Sequence, residues 1–134
     1  MIWQGIIGLC SSKTAITDKI GSSPMRLYAV RIPQGQSTFP SVAGKVVSVV
    51  ETKDFDETND QFDYISYDFH CYGKKLSDAQ QTATIFRDTL TGESGTYNGI
   101  TFNDIRFSTS GSDDYLDDLE LYTYSIELTF NVRG

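Results

Sequence analysis

Reactive side chains are scarce in this sequence: one histidine, two cysteines and one tryptophan among 134 residues. A structural zinc site needs three or four clustered imidazole or thiolate ligands. His70 with the widely separated Cys10 and Cys71 offers no such spacing. Nothing local brings the two cysteines together, so no disulfide is expected. Basic residues are also few. With 11 against 18 acidic residues the net charge is −7, and the chain lacks the cationic footprint that a phosphate backbone or an anionic bilayer attracts. No apolar run approaches the roughly 20 residues that span a bilayer. The opening MIWQGIIGLC has neither a basic leader nor a small-residue cleavage site. No signal peptide is expected there, and the thiols should be reduced, as in a cytosolic setting.

Catalytic and ligand-binding motifs are missing too. GTYNG and TGESG are glycine-rich but have no lysine and no strand–loop–helix context, so they do not cradle phosphate. There is no nucleophile elbow. The acidic clusters at 54–60 and 113–120 lack the alternating order and terminal glutamate of a calcium loop, and read as solvated connections. Asp68, Asp113 and Asp114 could be paired for glycoside hydrolysis, but almost any acidic sequence offers as much. No cofactor, metal or catalytic residue is expected.

What the chain does have is a core. Its 39% hydrophobic and 22% charged content is that of a soluble globular protein, and its length suits one domain spanning 1–134. Ile2, Trp3, Ile6, Ile7, Leu9 and Cys10 recur at helical steps, with residues 14–20 continuing or restarting the helix and Gly21 stopping it. A short strand is expected over 25–32, then an irregular segment between Pro33 and Pro40. The valine-rich SVAGKVVSVVE reads as a strand, and TKDFDETNDQ as an exposed connection. Ser77 and Gln80 form a capping box for a helix with Ala79, Ala83, Phe86 and Leu90 on one face, closed by Gly92. A strand over 99–107, an acidic loop SGSDDYLDD and a strictly alternating last strand complete the chain. The expected fold is α+β: a mostly antiparallel sheet of four to five strands with two helices packed on one face.

The adjacent His70 and Cys71 invite a catalytic reading. From residue 61 to 72 the chain alternates, with Ile65, Tyr67, Phe69 and Cys71 on one face and Ser66, Asp68 and His70 on the other. Strand neighbours point to opposite faces, so thiol and imidazole cannot form a dyad. The sheet's second face, carrying Phe62, Tyr64 and Tyr72 among polar groups, has no helix left to cover it. Spare edges invite pairing with another chain. This composition favours an assembly protein over an enzyme.

The run LYAVRIPQGQSTFPSV, with Tyr28, Pro33, Gln34, Gly35 and Pro40, resembles a segment of the tail completion (tail terminator) proteins of long-tailed bacteriophages. ISYDFHCYG followed by LSDAQQTATIFRDTL, and YNGITFNDIRFSTSGSDDYLDDLELYTYSIELTFNV, are similar to the same family's later strands and helix. The resemblance covers nearly the whole chain and departs from the family at Ser41 and in the glycine-rich first helix. It implies a virion structural protein, assembled in the host cytoplasm and located at the head-proximal end of the tail. Such a subunit forms a closed homo-oligomeric ring, usually a hexamer. The ring ends polymerisation of the tail tube protein and meets the head–tail connector protein, and DNA passes its lumen without specific binding. Interface contacts are expected on Tyr28, Pro33, Gln34, Gly35, Phe39 and Pro40, and on the acidic residues Asp54, Asp56, Glu57, Asp113, Asp114, Asp117 and Asp118. A head-completion or connector protein of the phage neck, and a small cytosolic hydrolase using Cys10 or Cys71, are the alternative readings.

Overall fold

The computed structural model describes residues 2–22, 24–33, 35, 38–50, 63–117 and 120–133. Helix α1 (Ile2–Ser11) buries Gly5, Ile6, Leu9 and Cys10, as its periodicity dictates. The chain turns at Lys13, whose N–H donates to the Cys10 carbonyl at 3.1 Å, and restarts as α2 (Thr14–Ile20). Strands β1 (Leu27–Ala29), β2 (Ser41–Val50) and β3 (Asp63–Gly73) precede α3 (Leu76–Leu90). Strands β4 (Gly95–Tyr97), β5 (Ile100–Leu116) and β6 (Leu121–Arg133) follow it.

All described strands join one six-stranded sheet in the order β1-β2-β3-β6-β5-β4. The α+β class is as expected, but the sheet is larger and mixed: β1 lies parallel to β2, and the other neighbours are antiparallel. The expected two helices are three, because the turn at Lys13 divides the first.

The helices cover one face, and the alternation in β3 and β6 decides which. Tyr67, Phe69 and Cys71 of β3 and Ile126, Leu128, Phe130 and Val132 of β6 are buried there. Helix α3 lies across both strands. Its Phe86 ring centre is 5.6 Å from that of Phe69, which stands edge-on to Phe130 at 6.1 Å. Each such ring, once fully buried, contributes roughly 1.5–3 kcal/mol of transfer free energy. At the other flank Trp3 stacks on Tyr67 at 5.8 Å and lies directly over Gly44. A Cβ at Gly44 would stand 2.5 Å from the indole, so only glycine lets α1 approach β2 this closely.

Two local expectations are corrected. Helix α3 starts at Leu76 with Lys75 in the N-cap position and no side-chain cap; the N–H groups of Asp78 and Ala79 already donate to the Lys75 carbonyl. The helix thus begins before Ser77, which cannot serve as its N-cap. The second correction is larger. SGSDDYL is not a loop, because β5 continues to Leu116. Its ladder with β6 holds it there, and register shifts between Phe102 and Asp104, Phe107 and Thr109, and Ser110 and Asp113 destroy the period of two that would have marked a strand. At the far end of α3 the expected stop holds: Gly92 has φ +83° and donates its N–H to the Ile105 carbonyl.

Phe69 touches both central strands and the long helix, and Phe69→Ala should lower stability by about 3–5 kcal/mol. Urea unfolding followed by far-UV circular dichroism checks this; a loss below about 1 kcal/mol would mean that the aromatic cluster does not hold the layers together.

Candidate assembly surface

His70 and Cys71 point to opposite faces of β3, as the alternation requires. Cys71 is fully buried, and desolvation raises its thiol pKa far above the ordinary value; Cys10, also fully buried, is pushed up to about 12. Neither is a usable nucleophile at neutral pH. His70 is half-buried on the helix-free face, beside Ala43 of β2 and Ser125 of β6. Among the described residues no three histidine, cysteine or acidic side chains group into a metal site. A shallow hollow of about 410 Å³ on α3 is lined by Ser77, Gln80, Gln81, Thr84 and Ile85, whose hydroxyls have no titratable base among them to activate them.

The helix-free face carries small polar groups in cross-strand rows. Ser66 and Thr129 share a hydroxyl hydrogen bond of 2.9 Å, and Ser108 bonds to Thr129 from the other side at 2.5 Å. Asp68 lies between Lys45 and Glu127 in the next row. On β5 Arg106 is tied to Asp104 at 2.9 Å. Tyr64 is exposed and Tyr72 half-buried on this face, while Phe62 lies outside the described residues. Lys13, the cation nearest the helix turn, is paired with Glu93 at 2.8 Å.

The expected interface residues divide between two places. Tyr28 sits half-buried in β1, Pro33 and Gly35 are exposed, and Phe39 is half-buried, joined to Pro40 by a cis peptide bond. This segment is anchored at its end: the Pro40 carbonyl accepts from Arg26 Nε at 2.9 Å, and Ser41 Oγ donates to the Thr38 carbonyl at 2.9 Å. Asp113 and Asp114 are exposed on strand β5, and Asp117 is exposed at the turn that follows. Asp113 accepts from Gln80 Nε2 of α3 at 3.1 Å. Gln34, Asp54, Asp56, Glu57 and Asp118 lie outside the described residues. The pairing rows place Ser41, Tyr72, Thr123 and Asp114 at one level. The segment leading into β2 and the acidic part of β5 therefore occupy the same end of the sheet at opposite edges.

The sequence reading expected spare edges but did not say which strands form them. Among the described residues β1 pairs with β2 along 42–44 and β4 with β5 along 100–102, and the Gly92 N–H bonds to the β5 edge at the Ile105 carbonyl. Exposed apolar side chains mark the uncovered spans: Val46 (44%), Val47 (51%) and Val49 (52%) on β2, and Phe107 (36%) on β5. The run VVSVV carried a signal for this, since valine on both faces of a strand is unusual where one face meets solvent.

No protein-family model and no curated protein matches the chain. Among solved structures the fold is similar to that of a chain in a structure described as "Virion of native gene transfer agent (GTA) particle". The TM-score is 0.73 at 12% sequence identity, over 97% of this chain and 92% of the other. At that identity the likeness is one of fold.

Burial of the two thiols has a pH consequence with a definite sign. A thiol whose folded pKa exceeds its unfolded value keeps its proton longest in the folded state. Stability is therefore level below the ordinary value of 9.0 and falls as pH rises past it. Urea midpoints measured from about pH 8 to about pH 11 should fall steadily, and the double variant Cys10→Ala, Cys71→Ala should show a shallower fall. Equal slopes would show that other groups control alkaline unfolding.

Proposed function

We propose that this chain is a virion structural protein of a tailed, phage-like particle. It closes into a ring at the head-proximal end of the tail, ends tube polymerisation and forms the surface that meets the head connector. The observation that carries this reading is the likeness of fold to a chain of a gene transfer agent virion, which extends over nearly the full length of both chains. The sequence resemblance to tail terminator proteins is what favours the head-proximal end of the tail within such a particle.

The arrangement suits assembly and offers little to catalysis. A ring of identical subunits needs two different surfaces on each, related by a rotation that closes. One sheet with unlike open edges provides them. The acidic balance of the chain suits a lumen that DNA crosses without adhering, since a negative wall repels phosphate. The ring is six-fold, as the resemblance implies, and acts without cofactor or metal. The acidic residues Asp113, Asp114, Asp117 and Asp118 and the segment with Pro33, Gln34, Gly35 and Phe39 are its contacts with neighbouring components.

Electron microscopy of the purified protein, alone and added to polymerising tube subunits, tests the reading. Rings, and tubes whose growth stops at a ring-bearing end, are expected. A protein that stays monomeric and leaves tube length unchanged contradicts it. Charge reversal of Asp113, Asp114, Asp117 and Asp118 to lysine should abolish tube capping without changing the far-UV spectrum or the melting temperature. Capping at the wild-type level by this variant would remove the acidic end of β5 from the contact.

A further inference from the structure

Asn98 and Gly99 form the two-residue turn between β4 and β5, closed by the pair Tyr97 and Ile100. Both have positive φ, +50° and +82°, the backbone for which Asn-Gly is the favoured hairpin sequence. Asn98 does more than turn the chain. Its Nδ2 donates to the carbonyl of Gln4 on α1 at 2.8 Å, so a turn at one edge of the sheet is tied to the N-terminal helix. The amide orientation follows from the partner, since a carbonyl oxygen only accepts. Gly8, one helical turn further on, leaves the space: a Cβ there would stand 2.7 Å from Nδ2. Gly5 does the same for Ile100, whose Cβ would be 2.6 Å from an added one. One amide and two missing side chains thus key α1 to the turn.

That amide is also a reactive one. The backbone nitrogen of a glycine that follows asparagine has no side chain beside it and can attack the asparagine Cγ. The nitrogen yields its proton to solvent base and bonds to Cγ, while Nδ2 takes up a proton and leaves as ammonia, closing a succinimide ring. Water then opens the ring at either carbonyl, giving aspartate or an isoaspartyl linkage. Of the four asparagines only Asn98 precedes glycine; Asn59, Asn103 and Asn131 precede Asp60, Asp104 and Val132, whose side chains crowd the same approach. At Gly99 nothing lies within 4 Å of where a Cβ would stand, and both turn residues are exposed to the water the reaction consumes. The three-residue β4 gives the turn little ladder to stiffen it. What restrains the reaction is the contact with Gln4. Attack requires Asn98 Cγ to swing onto the Gly99 nitrogen, and the amide is held on α1 instead.

We infer that Asn98 is a modification site guarded by α1: while the helix is seated its Gln4 carbonyl keeps the amide from Gly99, and once the amide is lost the helix is not keyed back. A carboxylate has no N–H to donate and sets a negative oxygen against the Gln4 carbonyl. The isoaspartyl form also lengthens the turn by one backbone carbon. Release of α1 thereby becomes a one-way step, after which the helix is seated by its apolar side chains alone. The site stands whether or not the chain forms a ring.

Peptide mapping by mass spectrometry, on protein held at mildly alkaline pH, tests it. The mass gain of an amide-to-carboxylate exchange is expected first on the peptide that carries Asn98. Gly8→Ala pushes the amide off Gln4 without changing the turn sequence, and should raise that rate about two- to tenfold, the worth of one exposed hydrogen bond. Wild-type protein in urea, where α1 guards nothing, should gain at least as much, and this comparison serves if Gly8→Ala does not fold. Asn98→Asp reproduces one product, and its α1 amides should exchange hydrogen faster than those of the wild type. Earlier reaction at another asparagine, or a rate that neither Gly8→Ala nor urea raises, would overturn the guarded site. Wild-type exchange of α1 in Asn98→Asp would overturn the one-way release.

Discussion

Packing of Phe69 against Phe86 and Phe130 is the contact on which the rest of the molecule depends. It seats the long helix across the two central strands and so commits the helices to one face. Everything outside that footprint must be stable without a helix above it. The opposite face meets this demand with short hydroxyl side chains and paired charges. The edges meet it only partly, through two short covering strands and several bulges. A subunit built this way has a finished interior and an unfinished perimeter.

The perimeter explains why chemistry is hard to find and assembly easy. Catalysis needs converging polar groups in a recess that excludes water. Here both thiols are buried in the apolar layer, and the single imidazole lies on an open face beyond their reach. Assembly asks less: exposed apolar and polar side chains on a rigid sheet. Val46, Val47 and Val49 on β2 and Asp113 and Asp114 on β5 are such side chains.

Much of the fold was legible because burial leaves a periodic mark. β3 reads correctly from Tyr67, Phe69 and Cys71, and α3 from Ala79, Ala83, Phe86 and Leu90, since each must turn one face inward. What escaped is what burial does not govern. The distal part of β5 is polar on both sides and repeatedly bulged, so its SGSDD run looks like a loop although pairing with β6 makes it a strand. β1 is three residues long and parallel to its neighbour, a pairing that no local pattern records. The valines of β2 read correctly as a strand, but nothing local told that Val46, Val47 and Val49 would be exposed. Of the candidate contacts, Asp113 and Asp114 do reach the surface, but on a strand rather than a loop. The exposure of Val49 on β2 emerges only once the structure is known.

Hydrogen exchange of the separated subunit against the assembled protein addresses the central claim most directly. Amides at 38–41 and 113–117 should become protected together on assembly, while those around the Phe69, Phe86 and Phe130 cluster change little. Protection confined to the helices, with both of those segments unchanged, would contradict the account.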